Sequence, residues 1–113
     1  DVERSRGLGD VYKRQGYNAC FCDYDKIIIG SGCYIGPCCS IYTFGFVPEN
    51  HGEAVSKPVE IENDVYICGD VKIMPGVKIG KGSVICAGSV VFGDIPSGVV
   101  AAGNPCVPVG KVK

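Results

Sequence analysis

Aliphatic residues recur at every sixth position between residues 61 and 96. Split into sixes, this segment reads IENDVY, ICGDVK, IMPGVK, IGKGSV, ICAGSV and VFGDIP. The first place is always aliphatic, the fifth is small or β-branched, and Gly, Asp and Asn cluster between them. A helical period of 3.6 would scatter these places, and a two-residue strand period alone would not explain why the third place is almost never apolar. The pattern predicts short strands separated by corners, which is typical of a parallel β-helix.

The first place of each hexad predicts the buried core. Its residue points inward, while glycines and Asn63 or Asp64 turn the corners because these residue types tolerate positive φ. If three hexads close one turn, a turn takes about eighteen residues, and turns stack at about 4.8 Å, the spacing of hydrogen-bonded strands. Residues 61–96 then form two coils around one aliphatic column. The residues of that column are Ile61, Ile67, Ile73, Ile79, Ile85 and Val91.

Two earlier hexads, IGSGCY from Ile29 and IGPCCS from Ile35, share this pattern. Together the hexads resemble those of the hexapeptide-repeat acyltransferases, whose fold is a left-handed parallel β-helix. The resemblance implies an all-β solenoid of this kind with one loop insertion and a C-terminal tail. The left hand comes from the resemblance alone, since general rules favour right-handed crossovers.

Residues 16–113 are predicted to form one domain, with a loop at 42–60 and a closing loop and tail at 97–113. Residues 1–15 contain no hexad and no apolar period. Their end, GDVYKRQ, resembles translated sequencing-adaptor sequence found at the ends of fragmentary genes. We therefore expect a non-family segment, an artefact attached to an N-terminally truncated protein. The alternative is an authentic N-terminal helix or arm.

Charge and hydropathy exclude several classes of protein. The net charge is −1 and no apolar run is long enough to span a bilayer, so we expect neither a nucleic-acid partner nor a membrane partner. Eight cysteines first suggest a disulfide framework, but four of them occupy hexad places that favour a small apolar side chain: Cys33, Cys39, Cys68 and Cys86. We expect free thiols, no metal site, and a reducing cytoplasm.

The segment GYNACFCDYDKIIIG resembles the corresponding stretch of the maltose and galactoside O-acetyltransferases. The resemblance implies that Asn18 and Asp23 contact a sugar-like acceptor. It adds Tyr66, which stands where those relatives carry a tryptophan, to the predicted substrate-binding residues. The alternative is that Asn18 caps a corner and Asp23 is a solvated turn residue.

The repeat is interrupted between Ile41 and Val59. The register resumes at Ile61, twenty residues after Ile41, so we expect the interruption to replace about one coil and to bulge outward as a binding loop. It contains His51, the only histidine of the chain. The resemblance implies a histidine base in this loop, although the family's histidine aligns with Phe46. We hypothesise that His51 is the base; the alternative is that the base is missing.

A closing signature, AAGNPC, spans residues 101–106 and resembles the last turn of the same family. It implies that coenzyme A runs along the backbone at Ala87, Gly88 and Ala102, where small residues allow close approach. Lys78, Lys81 and Lys111 are the candidates for its phosphates, or else lysines that only aid solubility. The chain departs from the family at Phe92–Gly93, where relatives have Thr-Lys, and at Val107, where they have a basic residue.

The resemblance implies an acetyl-CoA-dependent O-acetyltransferase that needs no metal and acts on a hydroxyl of a sugar-like acceptor. It also implies a homotrimer with active sites between subunits. One alternative, a catalytically silent binding or structural β-helix, is favoured by Phe46, Phe92–Gly93 and Val107. A second, a γ-type carbonic anhydrase, fails because that class needs three zinc-binding histidines and this chain has one.

Overall fold

A computed structural model describes residues 2–3, 14–15, 20–22, 25–46 and 54–112. These residues form strands joined by turns, with no helix among them. In chain order, the strands are β1 (Val2–Glu3), β2 (Arg14–Gln15), β3 (Cys20–Cys22), β4 (Ile27–Ile29), β5 (Tyr34–Ile35), β6 (Ser40–Tyr42), β7 (Phe44–Phe46), β8 (Ala54–Ser56), β9 (Val59–Ile61), β10 (Tyr66–Ile67), β11 (Lys72–Ile73), β12 (Lys78–Ile79), β13 (Val84–Ile85), β14 (Val90–Val91), β15 (Val99–Gly103) and β16 (Cys106–Lys111). No helix in the described part of the chain is long and apolar enough to cross a membrane.

The strands are arranged in three main sheets that the chain visits in rotation. Sheet A contains β4, β9 and β12, sheet B contains β5, β10 and β13, and sheet C contains β6, β11 and β14. Neighbouring strands of these sets run parallel, with Ile61 beside Ile79 and Ile67 beside Ile85. This offset of eighteen residues confirms the predicted turn of three hexads. The chain therefore forms a three-sided parallel coil with corners A/B, B/C and C/A.

The aliphatic column lies inside the coil, as predicted. Its six residues are at most 1% exposed. Fifth-place residues fill the space between them and are at most 3% exposed: Val65, Val71, Val77, Ser83, Ser89 and Ile95. At the corners, Asp64 adopts a positive φ of 61°, and Asn63 Oδ1 accepts a hydrogen bond of 2.9 Å from the Ser31 amide of the neighbouring coil. The predicted corner residues thus join successive coils as well as turning the chain.

The interruption at residues 42–60 does not replace a coil, which corrects the expectation from the sequence. Ile29 pairs with Ile61 and Ile41 pairs with Ile73, so the coils on either side of the interruption are direct neighbours. The offset is 32 residues instead of eighteen, which makes the interruption an insertion of fourteen residues at the C/A corner. The count from Ile41 to Ile61 misled because Ile41 lies on sheet C and Ile61 on sheet A.

The insertion is anchored as an antiparallel hairpin of β7 and β8, with Phe44 opposite Ser56. At its base, the Lys57 amide donates a 2.9 Å hydrogen bond to the Thr43 carbonyl. The two ends of the insertion therefore leave and rejoin the coil side by side, which keeps the register of the coil intact.

Strands also lie within the segment predicted to be foreign. Strand β2 of this segment extends sheet B, with Gln15 beside Ile35. Strand β3, which follows the segment, extends sheet C, with Phe21 beside Ile41. Strand β1 pairs antiparallel with β4.

The last turn of the coil is shorter than the others. Ile79 faces Ile95 and Ile85 faces Ala101, an offset of sixteen residues. Strand β16 then returns antiparallel along β15 and ends sheet B. A Cβ added to Gly80 would clash with the backbone of Ser97, so the closing loop requires glycine where it crosses the coil.

Six of the eight cysteines have described side chains, and all six are free thiols: Cys33, Cys38, Cys39, Cys68, Cys86 and Cys106. The side chains of Cys20 and Cys22 lie outside the described residues. Cys39 is buried while its neighbour Cys38 is exposed, as expected for adjacent residues that point to opposite faces. The Cys33 and Cys39 thiols donate hydrogen bonds of 3.0 Å to the Glu62 and Cys68 carbonyls, and burial raises the pKa of both thiols.

We predict that thiol titration of the denatured, unreduced protein finds all eight cysteines reduced. Among the six cysteines with described side chains, Cys38 should be alkylated first in the native protein, because it is exposed, whereas Cys33 and Cys39 are fully buried. Recovery of four thiols or fewer after denaturation would contradict a reduced chain.

Candidate functional site

Three predicted site residues, Asn18, Asp23 and His51, lie outside the described residues. The proposed catalytic and acceptor-binding roles of these residues thus stay predictions from the sequence. The structure does describe the strands and corners that flank them, and it places the other predicted residues.

The C/A corner holds together the two chain connections that flank Asp23 and His51. The turn between β3 and β4 and the base of the β7–β8 hairpin meet at Thr43, which is completely buried. Its Oγ1 accepts a 2.8 Å hydrogen bond from the Asp25 amide, and its carbonyl accepts the bond from Lys57. Because one buried residue binds both connections, they have a fixed relation to each other at this corner.

Tyr66 lies on the outer face of sheet B and is 45% exposed. Its ring contacts Tyr34 of the preceding coil edge-on, with 4.6 Å between ring centroids and 64° between ring planes. Sheet B lies opposite the C/A corner in a three-sided coil. A single chain therefore does not bring Tyr66 together with the base of the inserted loop.

The predicted contacts of the pantetheine arm come together at the B/C corner, where the last coil meets the closing strands. Ala87 and Gly88 form this corner, and Ala102 follows the strand position that pairs with Ile85. Gly88 has φ +76°, and a Cβ there would meet nothing within 4 Å. Its amide donates a 3.0 Å hydrogen bond to the Gly69 carbonyl. The outer surface at Gly88 is thus open, and its backbone is fixed by the coil below.

The three candidate lysines do not lie at that corner. Lys78 is on sheet A, and its Nζ lies 3.4 Å from Glu62 Oε2. Lys81 and Lys111 are near the A/B corner, because Gly98 donates to the Lys81 carbonyl and the adjacent Val99 pairs with Lys111. Sheet B therefore separates the lysines from Ala87 and Gly88. The predicted backbone contacts therefore lie at the B/C corner, whereas the candidate lysines lie on sheet A and near the A/B corner.

Glu62, which the sequence analysis did not single out, contacts two of the candidate lysines, Lys78 and Lys81. It lines two grooves on sheet A, of about 270 and 400 Å³, and its other carboxylate oxygen accepts a 3.0 Å hydrogen bond from the Lys81 amide. Asp94 Oδ1 accepts a 2.9 Å hydrogen bond from the Lys78 amide in the second groove. The Glu62 carboxylate partly offsets the charge of the Lys78 ammonium, so Lys78 is a weaker phosphate ligand than its position in the sequence suggests.

Among the residues that the structure describes, no group of three or more His, Cys, Asp or Glu side chains is arranged to hold a metal ion.

Comparison with known proteins identifies the family. Residues 58–93 match the family described as bacterial transferase hexapeptide (six repeats). A Saccharomyces cerevisiae protein, YJL218W, which carries a provisional acetyltransferase name, is 46% identical over 109 residues, covering 93% of this chain and 55% of the relative. The chain belongs to the hexapeptide-repeat transferase family.

Two solved structures are similar to this chain in both fold and sequence. A maltose O-acetyltransferase from Clostridium difficile 630 superposes with a TM-score of 0.80 at 39% identity, covering 90% of this chain and 57% of that one. A galactoside acetyltransferase in complex with coenzyme A superposes with a TM-score of 0.77 at 37% identity, covering 87% and 54%. This chain thus spans about half the length of the relatives that it matches.

Proposed function

We propose that this chain forms the left-handed β-helical part of an acetyl-CoA-dependent O-acetyltransferase acting on a sugar-like acceptor. The observation that carries the proposal is the B/C corner, where Ala87, Gly88 and Ala102 form an open surface of small residues at the closing turn. The fold around that corner is shared, at 37% identity, with a galactoside acetyltransferase in complex with coenzyme A. Small residues and fixed backbone groups suit a pantetheine arm, which needs close approach more than it needs charge.

The reaction is an acyl transfer from sulfur to oxygen. The acceptor hydroxyl, held by Asn18 and Asp23, attacks the thioester carbonyl while His51 removes its proton. The carbon–sulfur bond breaks, the acetyl group stays on the acceptor oxygen, and the coenzyme leaves as a thiolate that takes up the proton. Correct placement of the two substrates supplies about 7–11 kcal/mol of the reduction in the barrier. The general base supplies a further factor of about 10²–10⁴.

The assembly that we propose is a homotrimer with each site between two subunits. Within one chain, Tyr66 lies on sheet B while the inserted loop starts at the opposite C/A corner. A second subunit placed against either feature would complete a cleft that one chain leaves open.

The free thiols of six cysteines agree with our placement of the protein in a reducing cytoplasm.

The test is thiol release from acetyl-CoA by this chain against a panel of mono- and disaccharides, with the acetylated product identified by mass spectrometry. Sedimentation equilibrium on the same sample measures the assembly. Acceptor-dependent thiol release by a particle of three chains is the expected result. A monomer with full activity would overturn the intersubunit site, and a fully active dimer would overturn the trimer. A chain that binds no acetyl-CoA would overturn the proposed function.

The second candidate function is a catalytically silent binding module. It is favoured by the pairing of Lys78 with Glu62, which occupies a candidate phosphate ligand. It is also favoured by Val107, an apolar residue that is 51% exposed and stands where relatives have a positively charged residue. Saturable binding of acetyl-CoA without thiol release, for every acceptor of the panel, would establish this alternative.

A further inference from the structure

Two serines interrupt the otherwise aliphatic fifth-place column. Ser83 is completely buried and Ser89 is 1% exposed, yet Val65, Val71 and Val77 hold the preceding fifth places. A buried hydroxyl is unfavourable unless it is hydrogen-bonded, so each serine needs a local reason. Both serines lie in the last full coil, directly below the shortened turn.

Ser89 joins the corner of the last coil to the closing strands. Its Oγ donates a 2.7 Å hydrogen bond to the Cys86 carbonyl and accepts a 3.2 Å hydrogen bond from the Gly103 amide. The Ser89 hydroxyl also forms a hydrogen bond with the Cys106 thiol. Burial raises the pKa of this thiol, and the hydrogen bond to Ser89 offsets part of the rise. One buried hydroxyl therefore contacts the last coil, the end of β15 and the start of β16.

The two main-chain partners of Ser89 are direct neighbours of the predicted coenzyme contacts. Cys86 immediately precedes Ala87 and Gly88, and Gly103 immediately follows Ala102. The Ser89 hydroxyl thus links the two backbone segments that form the open B/C surface, in addition to the 2.9 Å hydrogen bond from the Cys86 amide to the Ala101 carbonyl. Valine at this place is larger than serine and would leave the Gly103 amide without this acceptor, whereas threonine adds the same bulk and keeps the hydroxyl.

We propose that Ser89 is a positioning residue for coenzyme binding: it holds Ala102–Gly103 in register with Ala87–Gly88, so that both segments contact the pantetheine arm together. This inference rests on the proposed function. Ser89 does not touch the coenzyme, and it acts by fixing the two segments that do.

Ser83 provides a matched control. It occupies the same hexad place, is equally buried, donates a 2.5 Å hydrogen bond to the Pro96 carbonyl and accepts a 3.2 Å bond from the Val99 amide. It lies one corner away, at A/B, where no contact with the pantetheine arm is proposed. Removing either hydroxyl should affect stability alike, whereas only Ser89 should affect the pantetheine arm.

The experiment compares Ser89→Val with Ser89→Thr, which have nearly the same shape but differ in the hydroxyl, and with Ser83→Val. Both acetyl-CoA and acetyl-pantetheine serve as donors, because acetyl-pantetheine lacks the phosphates that the lysines would hold. Ser89→Val should raise KM for both donors about tenfold while kcat changes less than about twofold, and Ser89→Thr should retain the KM of the unmodified chain. Ser83→Val should leave KM for acetyl-pantetheine unchanged.

Two results would overturn the inference: an unchanged KM in Ser89→Val, or an equal rise in Ser83→Val, which would mark a general loss of stability. Amide hydrogen exchange at Gly103 separates this inference from the proposed function. Exchange there should be faster in Ser89→Val than in Ser89→Thr even without a donor. If exchange responds as expected but the unmodified chain binds no coenzyme, the proposed function fails and the role in coenzyme binding fails with it. If exchange does not respond, the positioning role itself is wrong.

Discussion

Replacing His51 with alanine should lower kcat by about 10²–10⁴-fold and leave the affinity for acetyl-CoA nearly unchanged. A histidine of ordinary pKa, about 6.5, is matched to removing a proton from a hydroxyl near neutral pH. Within residues 42–58, Glu49 and Glu53 are too weak as bases unless buried, and His51 is the only imidazole. The coenzyme, by contrast, is proposed to bind at the B/C corner, away from the inserted loop.

The matched control is Glu53→Ala, which changes an ionisable residue of the same loop and should retain kcat. Steady-state thiol release gives kcat, and equilibrium binding of acetyl-CoA gives the affinity. Turnover at the unmodified rate in His51→Ala would show that the histidine is only a loop residue. Binding without turnover in the unmodified chain would instead mark Phe46 as a lost catalytic position.

The core of this fold could be predicted from the sequence because its period is local. Each hexad contains its own strand and corner, so the buried places follow from the spacing of aliphatic residues without knowledge of distant contacts. Ile67 and Val71 are buried for the same reason as Ile85 and Ser89, one coil later. Every further coil repeats the same six-residue spacing, so the buried places are indicated several times along the chain.

The length of the inserted loop, and the position in the coil where the chain resumes, could not be predicted in this way. Twenty residues separate Ile41 from Ile61, and that count fits either one coil with two extra residues or one side of a coil with fourteen. The two arrangements differ in the sheets to which Ile41 and Ile61 belong. Sheet membership is determined by hydrogen bonds between coils, which the spacing of residues along the chain does not show. The pairing of Ile41 with Ile73 shows the second arrangement.

The candidate site was predicted only in part, because its interactions depend on where the coil ends. Small residues at Ala87, Gly88 and Ala102 were found from the closing signature, and they do lie together. Glu62 and Ser89 were not found, since their roles depend on contacts with residues about 14 to 19 positions away. The replacement of valine by serine in the fifth-place column was the available signal for Ser89.

Replacing Ile73 with alanine should lower the free energy of unfolding by about 2–5 kcal/mol, because a buried large-to-small change leaves a cavity. Ile73 is completely buried and pairs with Ile41 on one side and Val91 on the other. Its neighbours in the coil are held by hydrogen bonds at both ends of each strand, so the site can relax little around the missing atoms.

Lys72 is the control, since it precedes Ile73 in β11 and points outward. Its Nζ forms a 2.9 Å ion pair with Asp70, which raises the pKa of Lys72, but both side chains are largely exposed. Exposed ion pairs contribute little to stability because solvent screens them, so Lys72→Ala should change the unfolding free energy far less than Ile73→Ala. Urea unfolding followed by fluorescence or circular dichroism measures both variants. Equal effects in the two variants would place Ile73 at the surface, and the inward orientation of the aliphatic column would then be wrong.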